Sequence, residues 1–168
     1  MNAREIELAI ARFVGWRHLI IVPNVSWGLG LDHECDLLVM WPRSGYCEEY
    51  EIKVTRADLL RDRQKRHQHL SPYIRALWFA VPAELATDLS LFPDGAGVVA
   101  VGKNGRCRVA RPAKKNRLIQ PLPDDKRWKL LHLGCMRIWT LKQAIETAAG
   151  RKDQRKRIIE GMDMGVKA

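Results

Sequence analysis

The chain has 168 residues, 46% hydrophobic and 29% charged. That size and composition suit one folded core with a small appendage and exclude a disordered polymer. No apolar run approaches the ~20 residues that cross a bilayer, and Arg4, Glu5, Glu7 and Arg12 interrupt the apolar pattern of the first segment, unlike the core of a secretory signal. A cytoplasmic protein with no membrane association is expected. The formal net charge is +10, yet residues 1–102 hold 11 Lys/Arg against 13 Asp/Glu, while residues 103–168 hold 18 against 6. A positive field concentrated in this way attracts polyanions and gains free energy by releasing counterions from a phosphate backbone.

In chain order, Ile6, Ile10, Phe13 and Val14 recur at helical spacing, predicting an amphipathic helix over 3–15 that ends at Gly15. A short strand follows over 19–23. The run Cys35 to Trp41 reads as a buried strand whose single charge is Asp36; Pro42 to Gly45 is a turn by composition, and Tyr46 to Val54 returns as the second strand of a hairpin. Thr55 then resembles a helix N-cap, with Asp58 three residues on, opening a polar helix to about Gln68. Ala76 to Val81 is apolar throughout, as a strand buried on both faces at the centre of a mixed sheet would be. A short helix over 83–89 and a second hairpin turning at Asn104-Gly105 follow. Beyond a basic linker, helices are predicted over 124–133 and 140–149, then a charged tail. Cys35, Cys47, Cys107 and Cys135 show no C-x-x-C spacing and read as reduced, mostly buried thiols. Trp16, Trp41 and Trp78 are expected in the core.

A hairpin symmetric about the Arg43-Ser44 bond pairs residues whose numbers sum to 87, which sets Asp36 opposite Glu51 and Glu34 opposite Lys53. Opposed side chains in a ladder stand ~5 Å apart, and like charges there repel. Buried carboxylates that close share a proton or bind a cation. A site for Mg²⁺ accounts for the pattern better than a solvated ion network, although a one-residue slip in register would dissolve it.

Asp36, then Glu51-Ile52-Lys53 after fourteen intervening residues, preceded by a helix and followed by a helix and a strand, resembles the PD-(D/E)XK nuclease superfamily. The stretch from Tyr50 to Arg63, with Trp78 to Pro82, is similar to the MmcB-type DNA repair proteins within it. The likeness covers about residues 3–110; Cys35 stands where the superfamily has proline. It implies a restriction-endonuclease-like core of αβββαβ order, a mixed central sheet flanked by helices. That core would span residues 1–120, with a basic helical extension over 121–168. It also implies a metal-dependent DNA endonuclease acting in repair or processing. Asp36, Glu51 and the Ile52 carbonyl would hold Mg²⁺ or Mn²⁺, and Lys53 would position or deprotonate the attacking water. Glu5, Glu7, Glu34 and Gln64 are accessory candidates. Arg56, Arg63, Lys65, Arg111, Lys114 and Lys115 are candidates for nucleic-acid contact. The rival reading is a catalytically weak DNA-binding accessory that keeps the nuclease fold. RNA is the less favoured partner, since no stacked aromatic platform is evident. Self-association into a homodimer is left open.

Overall fold

The computed structural model describes the chain outside residues 27, 28, 30–32, 63–70 and 165–168, and only the backbone at 62, 150 and 152–164. The first helix, α1 (Ala3–Val14), opens at Asn2, whose side chain accepts from the Glu5 amide while the Glu5 carboxylate takes the Asn2 amide; Gly15 closes it at a φ of 93°. This reciprocal cap satisfies two of the amide donors that a helix start leaves open. Ile6, Ala9 and Ile10 form its buried face.

Among the described residues, six strands make one mixed sheet in sequence order: β1 (Ile20–Val25), β2 (Cys35–Met40), β3 (Cys47–Ile52), β4 (Ile74–Pro82), β5 (Gly97–Val101) and β6 (Cys107–Arg111). The β3, β4 and β5 strands run parallel to one another, and every other neighbouring pair is antiparallel. Parallel neighbours need a crossover, and the helix α2 (Arg56–Asp62) lies in the one between β3 and β4. Thr55 caps α2 as expected, its hydroxyl accepting from the Asp58 amide at 3.1 Å. The continuous apolarity of β4 has the predicted cause, since it lies between two parallel strands with Phe79, Ala80 and Val81 fully buried.

One face of the sheet carries Leu37, Val39, Tyr50, Ile52, Ala80 and Val99 under α1. The opposite face carries two apolar clusters. Leu38, Met40, Cys47 and Ile74 pack with Leu122 and Leu130, while Phe79, Val81, Val98 and Ala100 pack with Leu59 of α2. Trp78 lies so close to Gly97, its partner in register, that a Cβ there would stand 2.1 Å from the indole ring. A glycine at that point lets the ring lie flat across the neighbouring strand.

Three expectations are corrected. The 83–89 segment forms two 3₁₀ turns, Leu85–Thr87 and Leu89–Leu91, split by Asp88, whose carboxylate takes the Ser90 amide. Trp16 is exposed. The C-terminal helices expected over 124–133 and 140–149 are one helix, α3 (Asp124–Met164). Gly134 costs a helix interior only ~1 kcal/mol, and no proline removes a backbone donor between them. The chain divides into two compact units, 1–133 and 134–168. The first extends past residue 120 because Leu122 and Leu130 are both buried in its core. Among the described residues no helix is long and apolar enough to cross a membrane.

Candidate active site

All six residues of β3 are buried, yet three are glutamates, and Lys53 follows them at 6% exposure. Charges removed from water must be matched by partners or shift toward neutrality. The alternation of the strand divides them. Glu48 shares a face with Tyr50 and Ile52; Glu49 and Glu51 share the other, with Cys47.

Glu48 is matched within the fold. Arg75 donates to its Oε1 through Nη2 at 2.7 Å and Nε at 3.2 Å, and Trp78 donates to Oε2 at 2.9 Å. The Arg75 guanidinium also lies over the rings of Trp41, at 4.6 Å, and Tyr46.

The other face holds the predicted constellation. The hairpin register is the expected one, with Leu37↔Tyr50, Leu38↔Glu49, Val39↔Glu48 and Met40↔Cys47. Past Leu37 the backbones stop pairing. The Asp36 carboxylate reaches across instead and accepts from the Ile52 amide at 2.7 Å. Lys53 Nζ stands 2.5 Å from Glu51 Oε2 and 3.8 Å from Asp36 Oδ2. Asp36, Glu51 and Lys53 are thus together at the end of β3, and Ile52 is tied to them through its amide. Asp36 keeps about a third of its side chain exposed, leaving the cluster open to solvent on that side.

The site is electrically negative. Burial pushes the Glu51 carboxyl up to about 7; the Asp36 and Glu49 charges push the same way, against Lys53. Burial, reinforced by Glu49, Glu51 and Asp36, raises the Cys35 thiol well above its ordinary range. Glu7 on α1 is raised chiefly by burial, with Arg4 opposing and Asp36 adding, so this accessory candidate lies within the field of the site. Glu51 Oε1 is buried with no hydrogen-bond partner. An unmatched carboxylate oxygen in a cluster with a second carboxylate is a donor of the kind hard divalent cations take, and Asp36 and Glu51 are the residues that could hold one.

The remaining candidates separate. Glu5 serves the α1 cap. Glu34 is exposed and precedes β2; it does not meet Lys53 because the ladder ends at Leu37, and the Lys53 amide turns to the Ala80 carbonyl at 3.1 Å. Arg111 serves the fold, its guanidinium donating to the carbonyls of Ala96, Pro93 and Leu89. Arg56 is exposed. Lys114 and Lys115 are also exposed and line an open cleft of about 890 Å³ with Arg75, Arg117 and Tyr46. That cleft lies at the start of β3, whereas Glu51 and Lys53 lie at its end. Arg63, Gln64 and Lys65 fall outside the described residues.

Two residues at the site were not singled out from the sequence. His33 Nε2 lies 2.6 Å from Glu49 Oε1. One ligand atom each from His33, Glu49 and Glu51 lies within 4.8 Å of the others. The alternation Glu49-x-Glu51-x-Lys53 is a readable signal for Glu49; His33, before β2, carries none.

No protein-family model matches the sequence, and no curated protein matches it. Among solved structures, a protein of unknown function from Silicibacter pomeroyi is similar in fold, with a TM-score of 0.62 and 19% identity over 89% of this chain and 94% of that one.

Proposed function

We propose that this chain is a metal-dependent nuclease that hydrolyses phosphodiester bonds in DNA, with a restriction-endonuclease-like core of the PD-(D/E)XK type and a role in DNA repair or processing. The observation that carries the reading is the convergence of Asp36, Glu51 and Lys53 at the end of β3, with Lys53 hydrogen-bonded to Glu51 and one Glu51 oxygen left unmatched in the interior. Asp36 and Glu51 would hold Mg²⁺ or Mn²⁺, which supplies polarisation of a phosphoryl oxygen and a lowered pKa for bound water.

The residues themselves divide the remaining work. Hydrolysis forms a bond from water oxygen to phosphorus, breaks the ester bond and passes a proton to the leaving hydroxyl. Lys53 brings a fixed cation to the charge that grows on the phosphoryl oxygens, and Glu51 holds its ammonium in place. The exposed side of Asp36 is where a phosphodiester approaches. The exposed lysines 114 and 115 and the basic tail add sequence-independent attraction for the DNA backbone.

The test is incubation of purified protein with plasmid, single-stranded and branched DNA, in Mg²⁺ or Mn²⁺ and then with EDTA. Metal-dependent cleavage that Lys53→Met abolishes is expected. DNA binding without cleavage of any substrate would overturn the nuclease assignment in favour of a binding accessory.

A further inference from the structure

Three side chains beside the proposed metal position are unusual in being acidic or metal-ligating and almost wholly enclosed. Glu49 is 0% exposed, Glu51 1%, and the His33 side chain 3%. The sheet dictates the pairing of the two acids, because residues two apart on a strand project from the same face. His33 arrives from the chain before β2 and meets Glu49 at 2.6 Å. Lys53 occupies Glu51 Oε2, while Oε1 is buried without a hydrogen-bond donor. Leaving a buried carboxylate oxygen without a donor costs the desolvation of that acceptor. The contrast with Glu48 on the opposite face is direct, since Arg75 and Trp78 satisfy both of its oxygens.

We propose that His33, Glu49 and Glu51 form a site for a divalent transition-metal ion, Mn²⁺ or Zn²⁺, adjacent to the Asp36 position and sharing Glu51 with it. The donor set decides the class of ion. Mg²⁺ prefers all-oxygen coordination and keeps several waters, whereas an imidazole with two carboxylates suits Mn²⁺ and Zn²⁺. Enclosure works in the same direction, because a fully hydrated ion does not fit among side chains this buried. Metal–ligand distances of ~2.0–2.2 Å require the three ligand atoms to draw together somewhat from their present spread, a change within the reach of side-chain torsions. The inference extends the proposed nuclease site by naming a second cation position there. It is a statement about binding, so it can hold whether or not DNA is cut.

The test uses the full-length protein stripped of metal with a chelator and titrated separately with Mn²⁺, Zn²⁺ and Mg²⁺ by calorimetry. Mn²⁺ binding is also followed by electron spin-echo spectroscopy, which detects a directly bound imidazole nitrogen. The wild type should show nitrogen coupling to Mn²⁺. His33→Gln should abolish that coupling and weaken Mn²⁺ and Zn²⁺ at least tenfold, leaving Mg²⁺ affinity within twofold. Glu49→Gln, a second variant should His33→Gln not fold, should likewise weaken Mn²⁺ and Zn²⁺. Asp36→Asn should keep the nitrogen coupling and weaken Mg²⁺. Absence of nitrogen coupling in the wild type, or unchanged Mn²⁺ affinity in His33→Gln, would overturn the second position. Those outcomes leave the nuclease reading intact if Asp36→Asn still weakens Mg²⁺ and stops cleavage. A nitrogen-coupled Mn²⁺ in a protein that cleaves no DNA would separate the two in the opposite sense.

Discussion

Glu51 offers the sharpest test of the electrostatics, because its carboxyl is raised from about 4.5 to about 7 in a nearly inaccessible position. Between those values the folded state holds a proton that the unfolded chain has released. Stability therefore falls as pH rises across this window, with the favourable contribution fully present below about 4.5 and lost above about 7. At ~1.36 kcal/mol per pKa unit, the shift corresponds to about 3 kcal/mol, or roughly 6–12 °C in Tm for a domain of this size. Glu51→Gln mimics the neutral acid and should remove the dependence. Urea unfolding at pH 5 should find variant and wild type close together. At pH 8 the variant should be the more stable by about 1–3 kcal/mol, since Lys53 loses an ionic partner but the repulsion from Asp36 and Glu49 disappears. Added Mg²⁺ or Mn²⁺ should stabilise the wild type at pH 8 and leave the variant nearly unmoved. A variant less stable than wild type at pH 8 would refute the reasoning, because it would mean that the Lys53–Glu51 ion pair outweighs the burial of the charge.

Lys53→Met should lower cleavage by a factor of about 100 or more while leaving DNA affinity nearly unchanged, as expected of a group whose interaction strengthens only in the transition state; gel cleavage and fluorescence anisotropy on the same preparation check both. Arg111→Ala should destabilise the fold by about 2–4 kcal/mol in denaturant titration, since three carbonyls lose a charged donor, and should leave the salt dependence of DNA binding unaltered. Glu48→Gln should cost about 2–4 kcal/mol by weakening the match to Arg75 without changing metal affinity. Ending the chain after Gly150 removes 6 Lys/Arg and 3 Asp/Glu. Circular dichroism should find the sheet intact, because Leu122 and Leu130 remain, and the slope of log affinity against log salt should flatten by at most about 5.

Much of this fold was legible in the sequence, and for a common reason. Helix α1, the hairpin register, the Thr55 cap and the burial of β4 each follow from periodicity or from turn and cap chemistry over a few neighbouring residues. The meeting of Asp36 with Glu51 and Lys53 belongs to the same class, since a tight hairpin converts sequence numbers directly into cross-strand neighbours. The charge asymmetry of the chain is a sum and needs no structure at all.

The tertiary structure decided whatever depended on partners remote in sequence. Glu48 and Glu49 are adjacent and chemically identical, yet one meets Arg75 and Trp78 and the other His33, because the strand sends them to opposite faces and different segments cover those faces. Arg111 has the composition of a nucleic-acid contact and became a structural bracket only because the loop from Leu89 to Ala96 turns three carbonyls toward it. The ladder ended at Leu37, withholding Glu34 from the site, because the Asp36 side chain takes the Ile52 amide there. Local pattern specifies which face a residue occupies; what waits on that face is set by chain that folds back from elsewhere, and that is why the carboxylates could be read from the sequence while the imidazole beside them could not.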